Sequence, residues 1–143
     1  MAITSAVCNS FKTEVLQAIH NFTASSGNTF NLALYTSSAS LGAATTAYTT
    51  SNEVSGSGYT AKGNALTSVT PVADSTTAVC DFADTSFTSA SFTARGCLIF
   101  NDSATGDPAV CVIDFGSDKT VTSGTFTIQF PTADASNAIV RIA

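Results

Sequence analysis

The chain has 143 residues, 44% hydrophobic and only 10% charged, with a net charge of −5. The length suits a single domain spanning 1–143, because two independent cores would each be very small. Five basic residues against ten acidic ones argue against a nucleic-acid groove and against a basic membrane-surface helix. No apolar run approaches the length of a membrane span, and the apolar content is too high for a disordered chain. The first residues lack a basic start followed by an apolar core, which reads against a signal peptide. Ser and Thr together number 42, the one marked excess in the composition.

The first element in chain order is a helix. Val7, Phe11, Val15, Ala18 and Phe22 recur at spacings of four, four, three and four, and Cys8, Leu16 and Ile19 widen the stripe. Thr4 or Ser5 supplies a capping hydroxyl, and Gly27 lies past the pattern. The spacing predicts a helix over about 5–22 with its apolar face on a sheet. His20 then falls on the surface near the helix C-terminus, where its charged form would suit the dipole.

From residue 28 the period becomes two. Phe30, Leu32 and Leu34 alternate with Asn31, Ala33 and Tyr35; Ala78, Cys80 and Phe82 repeat the pattern. Phe126, Ile128 and Phe130 alternate with Thr125, Thr127 and Gln129, and Ala138, Val140 and Ile142 close the chain. The run Ala109–Phe115 is apolar on both faces until Asp114, as in a central or covered strand. Ser91–Asn101 also reads as a strand, with Gly96 marking a bulge. Turn clusters sit at Asn101–Pro108, Gly116–Lys119 and Pro131–Asp134. Seven or eight strands at this spacing predict a mainly β fold. The expected architecture is an antiparallel β-sandwich over 28–143, jelly-roll-like, with one N-terminal α-helix. The Ser/Thr/Gly-rich segment 37–64 is long for a plain loop. Either it hides a short strand near Tyr48 or it is an extended arm ordered by a partner.

Little in the chain points to catalysis or metal binding. There is a single histidine, no nucleophile-elbow Gly-x-Ser-x-Gly and no Cys-x-x-Cys. Cys8, Cys80, Cys97 and Cys111 read as small core residues. Cys97 and Cys111 flank one turn cluster and could be bridged if they oppose each other. That register would leave the Phe92, Leu98 and Phe100 face unmatched with Cys111, Ile113 and Phe115. A one-residue shift joins those faces, which favours free thiols and a reduced compartment. Asn101, Ser103, Thr105 and Gly106 echo a calcium loop but lack its carboxylates, and a hairpin connection explains them equally well. Asp81 and Asp84 are too close in sequence to flank a glycosidase cleft. The sequons Asn21-Phe22-Thr23 and Asn101-Asp102-Ser103 read as chance matches in a chain without a secretion signal. Tyr35, Tyr48 and Tyr59 are the aromatics available to stack on a sugar, and tyrosines at an interface are at least as good a reading.

Longer segments carry a family resemblance. They include Phe30-Asn31-Leu32-Ala33-Leu34-Tyr35-Thr36, Thr45-Thr46-Ala47-Tyr48-Thr49 and Asn52-Glu53-Val54-Ser55-Gly56-Ser57-Gly58-Tyr59-Thr60. Thr93-Ala94-Arg95-Gly96, Asp114-Phe115-Gly116-Ser117-Asp118-Lys119 and Asn137-Ala138-Ile139-Val140-Arg141-Ile142-Ala143 extend it over nearly the whole chain. In these the chain resembles small tailed-bacteriophage virion structural proteins, some of which are capsid cement or decoration proteins. The segment Ala61-Lys62-Gly63-Asn64 departs from a more glycine-rich stretch of the family. The resemblance implies a non-enzymatic, homo-oligomeric virion component assembled in the host cytoplasm. Its partner would be the major capsid protein, with no nucleic acid, membrane or cofactor. No catalytic or metal-ligating residue is carried over, and Tyr48, Tyr59 and Lys62 are the candidate partner contacts. A tail, neck or fibre component is the rival within the virion, and a glycan-binding adhesion module is the rival of another class.

Overall fold

A computed structural model describes residues 2–143. It is mainly β, with two antiparallel sheets and one short helix near the N-terminus, consistent with a β-sandwich. In chain order the elements are β1 (Ala6–Val7), α1 (Asn9–Leu16), β2 (Phe30–Tyr35), β3 (Asn64–Ala65), β4 (Ser68–Asp74), β5 (Thr77–Phe82), β6 (Thr85–Asn101), β7 (Ala109–Ile128) and β8 (Val140–Ile142). One sheet has the order β1-β7-β6-β2-β3 and the other β4-β5-β8.

The helix is shorter than its stripe predicts. Ala6 and Val7 pair with Val112 and Cys111 as a short edge strand, so the helix starts only after Cys8, whose side chain makes no capping bond. At the other end Ala18 adopts a left-handed φ of 59°, and the chain turns back. Phe11 is the buried residue of α1; Val7 and Phe22 reach the core from its flanks. The turn also corrects the position of His20, which is carried beneath the helix and buried rather than displayed at its end. Its ring lies 5.0 Å from that of Phe11.

Around β2 the five-stranded sheet is covered on both faces. Phe30, Leu32 and Leu34 point toward α1 and the second sheet, where Phe30 stacks on Phe22 at 4.3 Å and packs on Phe82 at 5.8 Å. The opposite face carries Phe100, on which Tyr48 stacks at 4.8 Å. The register departs from expectation in an instructive way. Cys97 lies opposite Ile113, Leu98 opposite Val112 and Ile99 opposite Cys111. The sheet is therefore shifted by two residues from cysteine opposite cysteine, not by one. Because both faces are buried, Leu98 finds Val112 while Cys97 finds Ile113, and neither apolar set has to exchange faces. All four cysteines are free and buried.

The β6–β7 hairpin bends back on itself. Its register breaks between Ala94 and Gly96, as the strand glycine suggested. On the β7 side the extra residues include Gly116 at φ 79°, so Gly116–Lys119 is an irregularity within one long strand rather than a separate turn. The bend returns the far end of the hairpin to the sheet: Asn64 Nδ2 of β3 donates to Thr85 Oγ1 at 3.0 Å and to the Ser86 carbonyl at 2.9 Å. A strand that changes layers through bulges is how such sandwiches turn a corner. Buried residues from Ile3 to Val140 form one continuous core.

Candidate functional site

The three candidate contact residues meet in one place. Tyr48, Tyr59 and Lys62 all belong to segment 37–64, and Glu53 lies at their centre. Tyr48 donates its hydroxyl to Glu53 Oε2 at 2.6 Å, and Tyr59 donates to Glu53 Oε1 at 2.7 Å. The Lys62 backbone N–H donates to the same Oε1 at 2.8 Å. Tyr59 Oη also accepts the Leu34 N–H at 2.9 Å, which satisfies a fully buried strand amide. Lys62 Nζ bridges Asp102 at 2.7 Å and Asp107 at 2.8 Å, both in the β6–β7 turn. These two carboxylates hold the Lys62 ammonium well above the usual lysine range. Burial, then the Glu53 hydrogen bond and charge, push the Tyr48 phenol up to about 12. Tyr59 is pushed up further by the same causes.

This cluster orders the segment against its own sheet. Single bridges tie Ala47 to Pro108, Tyr35 to Glu53 and Ser57 to Ser91, and Tyr35 Oη donates to the Thr49 carbonyl at 2.6 Å. No strand forms near Tyr48 beyond the Ala47 bridge, and the arm is ordered within the chain. The sequence signal for this closure is Glu53 among hydroxyls and the Asp102/Asp107 pair opposite a lysine. It is readable only once the turn and arm are known to meet. The loop of the calcium echo is used in the same internal way: Asn101 Oδ1 accepts the Ser103 N–H, and Ser103 Oγ accepts the Thr29 N–H.

His20 belongs to a buried polar chain. Asn101 is oriented by the Ser103 N–H on its oxygen, so its Nδ2 faces His20 Nδ1 at 3.2 Å, the Ile19 carbonyl at 3.2 Å and Asn28 Oδ1 at 3.1 Å. The imidazole is thereby its Nε2–H tautomer and donates to Glu14 Oε2 at 2.8 Å. Both ring nitrogens are engaged by groups other than a thiol or hydroxyl. Asp84 accepts the Phe130 N–H at 2.9 Å, which ties a loop rather than facing Asp81 across a cleft. Burial pushes the thiols of Cys80 and Cys97 up to about 12 and that of Cys8 to about 11, and it lifts Cys111 as well. Among the described residues no group of three or more His, Cys, Asp or Glu is placed to hold a metal, and no helix is long and apolar enough to cross a membrane.

The outer edge of β7 is an open surface that the sequence reading did not single out. Strand β1 covers the outer edge of β7 only at Cys111 and Val112. From Ile113 to Ile128 that edge has no strand partner among the described residues; the Asp114 N–H finds the Ser5 hydroxyl at 2.8 Å. Beside it lies an apolar groove of about 820 Å³, lined among others by Val7, Ile113, Phe115, Phe126, Ile128 and Ile139. Both halves of β7 line it because the hairpin folds back. Lys119 is its only charged lining residue. The alternation at Phe126 and Ile128 found the strand, but periodicity does not reveal which edge lacks a neighbour. No protein-family model, curated protein or solved structure matches the chain.

Proposed function

We propose that the chain is a non-enzymatic structural component of a tailed-phage virion: a decoration subunit that binds and stabilises the shell of the major capsid protein. The observation that carries this reading is the open β7 edge with its apolar groove, a surface suited to another polypeptide. Strand edges recruit strands through main-chain hydrogen bonds while adjacent pockets take side chains. The resemblance to small virion proteins supports the same reading. So does the inward use of the polar groups, since Glu53, Lys62 and His20 are all spent on internal ties. The rings of Tyr48 and Tyr59 lie against Phe100, Phe87 and Phe92, which weighs against a sugar platform. Binding the assembled shell and not its dissociated subunits would stabilise the shell by mass action, multiplied over many sites.

The test is copy number and head stability. Quantification in purified particles is expected to give hundreds of copies, and tail-less heads lacking the protein are expected to bind it and disrupt at a higher temperature. A handful of copies per particle, or no binding to tail-less heads, overturns the decoration reading and favours a tail, neck or fibre location. Signals on a glycan array that disappear in Tyr48→Ala or Tyr59→Ala would instead favour adhesion.

A further inference from the structure

We infer that the outer edge of β7 is a homodimer interface, in which two copies join edge to edge across a two-fold axis through Phe126. The inference deepens the decoration reading by dividing the open β7 edge, with Gly124–Ile128 taken by a second copy and the stretch from Ile113 to Lys119 left to the shell, and it rests on that reading only for its biological setting.

Another long strand at a sheet margin offers a comparison. Strand β4 is also at the margin of its sheet, but it carries Pro71 and a register break between Val69 and Val72. Proline and bulges are the devices by which proteins block edge-to-edge pairing. Thr120–Ile128 of β7 has neither a proline nor a charge, although the chain as a whole is at −5, and its own bulge, at Thr122–Ser123 with Ser123 at φ 46°, falls outside the regular run Gly124–Ile128. Two copies approaching along this strand therefore meet no local charge repulsion.

The strand is also complementary to itself. Antiparallel pairing about Phe126 places Gly124 opposite Ile128, Thr125 opposite Thr127 and Phe126 opposite Phe126. The smallest residue thus faces a branched aliphatic one, hydroxyls face hydroxyls, and aromatic faces aromatic, all favourable cross-strand pairs. The fold already uses the hydroxyl pairing on the inner side of β7. Thr127 meets Ser86 at 2.8 Å and Thr120 meets Thr93 at 2.8 Å across β6. Thr125 and Thr127 are exposed, whereas Gly124, Phe126 and Ile128 are half-buried. A two-fold axis perpendicular to the strands keeps each set on its own face. The half-buried residues of the two grooves then adjoin, and the open main-chain edges satisfy each other.

The test uses the full chain in sedimentation velocity over a hundredfold concentration series. The expected species has twice the 14.5 kDa chain mass. In Thr125→Lys/Thr127→Lys each new lysine faces another across the axis, and the dimer Kd is expected to rise at least about tenfold. In Thr125→Lys/Thr127→Glu each lysine faces a glutamate, and dimerisation is expected to return. Circular dichroism and melting of each variant separate lost association from lost folding, since both positions are exposed. A wild-type chain that stays monomeric at the highest concentration overturns the inference. So does a dimer that persists in the double-lysine variant, or one that the lysine–glutamate variant fails to restore. A monomeric protein that still decorates heads overturns this inference alone; a dimer that ignores heads overturns the decoration reading alone.

Discussion

The two tyrosines on Glu53 differ in what their hydroxyls do, and this difference predicts a stability gap. Tyr48 Oη donates one bond to Glu53 Oε2. Tyr59 Oη donates to Glu53 Oε1 and also accepts the N–H of fully buried Leu34. Tyr48→Phe removes one hydrogen bond to a carboxylate that keeps two other donors, a loss of about 1.5–3 kcal/mol. Tyr59→Phe removes a comparable bond and also strands a buried amide, which adds about 1–3 kcal/mol. The shared carboxylate bond cancels, leaving a gap of about 1–3 kcal/mol between two chemically identical substitutions. Urea unfolding followed by far-ultraviolet circular dichroism reads the gap directly. With a slope of about 1.5 kcal/mol per molar urea, the two midpoints should differ by about 1 M. Midpoints agreeing within about 0.3 M would refute the assignment of the Leu34 amide to Tyr59.

Three further outcomes follow from burial and backbone geometry. Gly63 has φ 65°, and a Cβ there would drive into the Leu32 carbonyl, whereas Gly106 at φ 85° has open space around it. Gly63→Ala is expected to cost more than about 3 kcal/mol and Gly106→Ala about 1 kcal/mol, measured by the same unfolding curves. Because all four thiols are buried and lifted, a thiol-reactive chromogenic disulfide should titrate none of them in the native protein and four after denaturation. Stability should also fall at alkaline pH. The folded state favours the protonated thiols of Cys80 and Cys97, each raised from 9.0 to about 12, so their contribution is complete below pH 9 and lost as pH rises through that window. Thermal melting between pH 8 and pH 11 checks the sign, since a flat profile would contradict the burial of these groups.

What was legible in the sequence was whatever depends on near neighbours. The alternation at Phe30–Tyr35 and Thr77–Phe82 and the continuous apolar run Ala109–Phe115 located β2, β5 and the first half of β7, because a strand's pattern is written along its own length. The helix was overextended because Val7, Phe11, Val15 and Phe22 all reach the core, yet only Phe11 and Val15 do so from a helix. A periodic stripe cannot distinguish that from a strand, a helical turn and a reversal in succession. Strand β4 left no clear pattern, since most of its side chains are exposed. The candidate contacts Tyr48 and Tyr59 came from the scarcity of aromatics and Lys62 from a departure from the resembled family, and they do adjoin in space. Their orientation toward Glu53 and the β6–β7 turn depends on contacts distant in sequence, such as Lys62 with Asp107 and the Tyr48 N–H with the Asp107 carbonyl. The open edge of β7 was illegible for the same reason, because it is defined by a strand that ends after Val7.

Charge placement connects the composition to that edge. With so few charged residues, most are used to close the chain on itself. Lys62 pins the arm to Asp102 and Asp107, Arg95 holds Asp114 at 2.8 Å, and Glu14 holds His20. Arg141 donates to the Ala135 and Ser136 carbonyls, Asp134 accepts from the Ser136 and Asn137 N–H groups, and Asp84 and Asp74 accept backbone N–H groups of loops. Charges spent in this way cannot also guard strand margins, which is where proteins usually place them. The exposed rows of the sheets are left to Ser and Thr. These residues solvate a free strand as a monomer and can hydrogen-bond across it once a second strand arrives, at small side-chain entropy cost. An unguarded hydroxyl edge is therefore the expected companion of this composition when a chain assembles. In a chain that had to remain solitary, the economical place for one more lysine would be between Thr120 and Ile128.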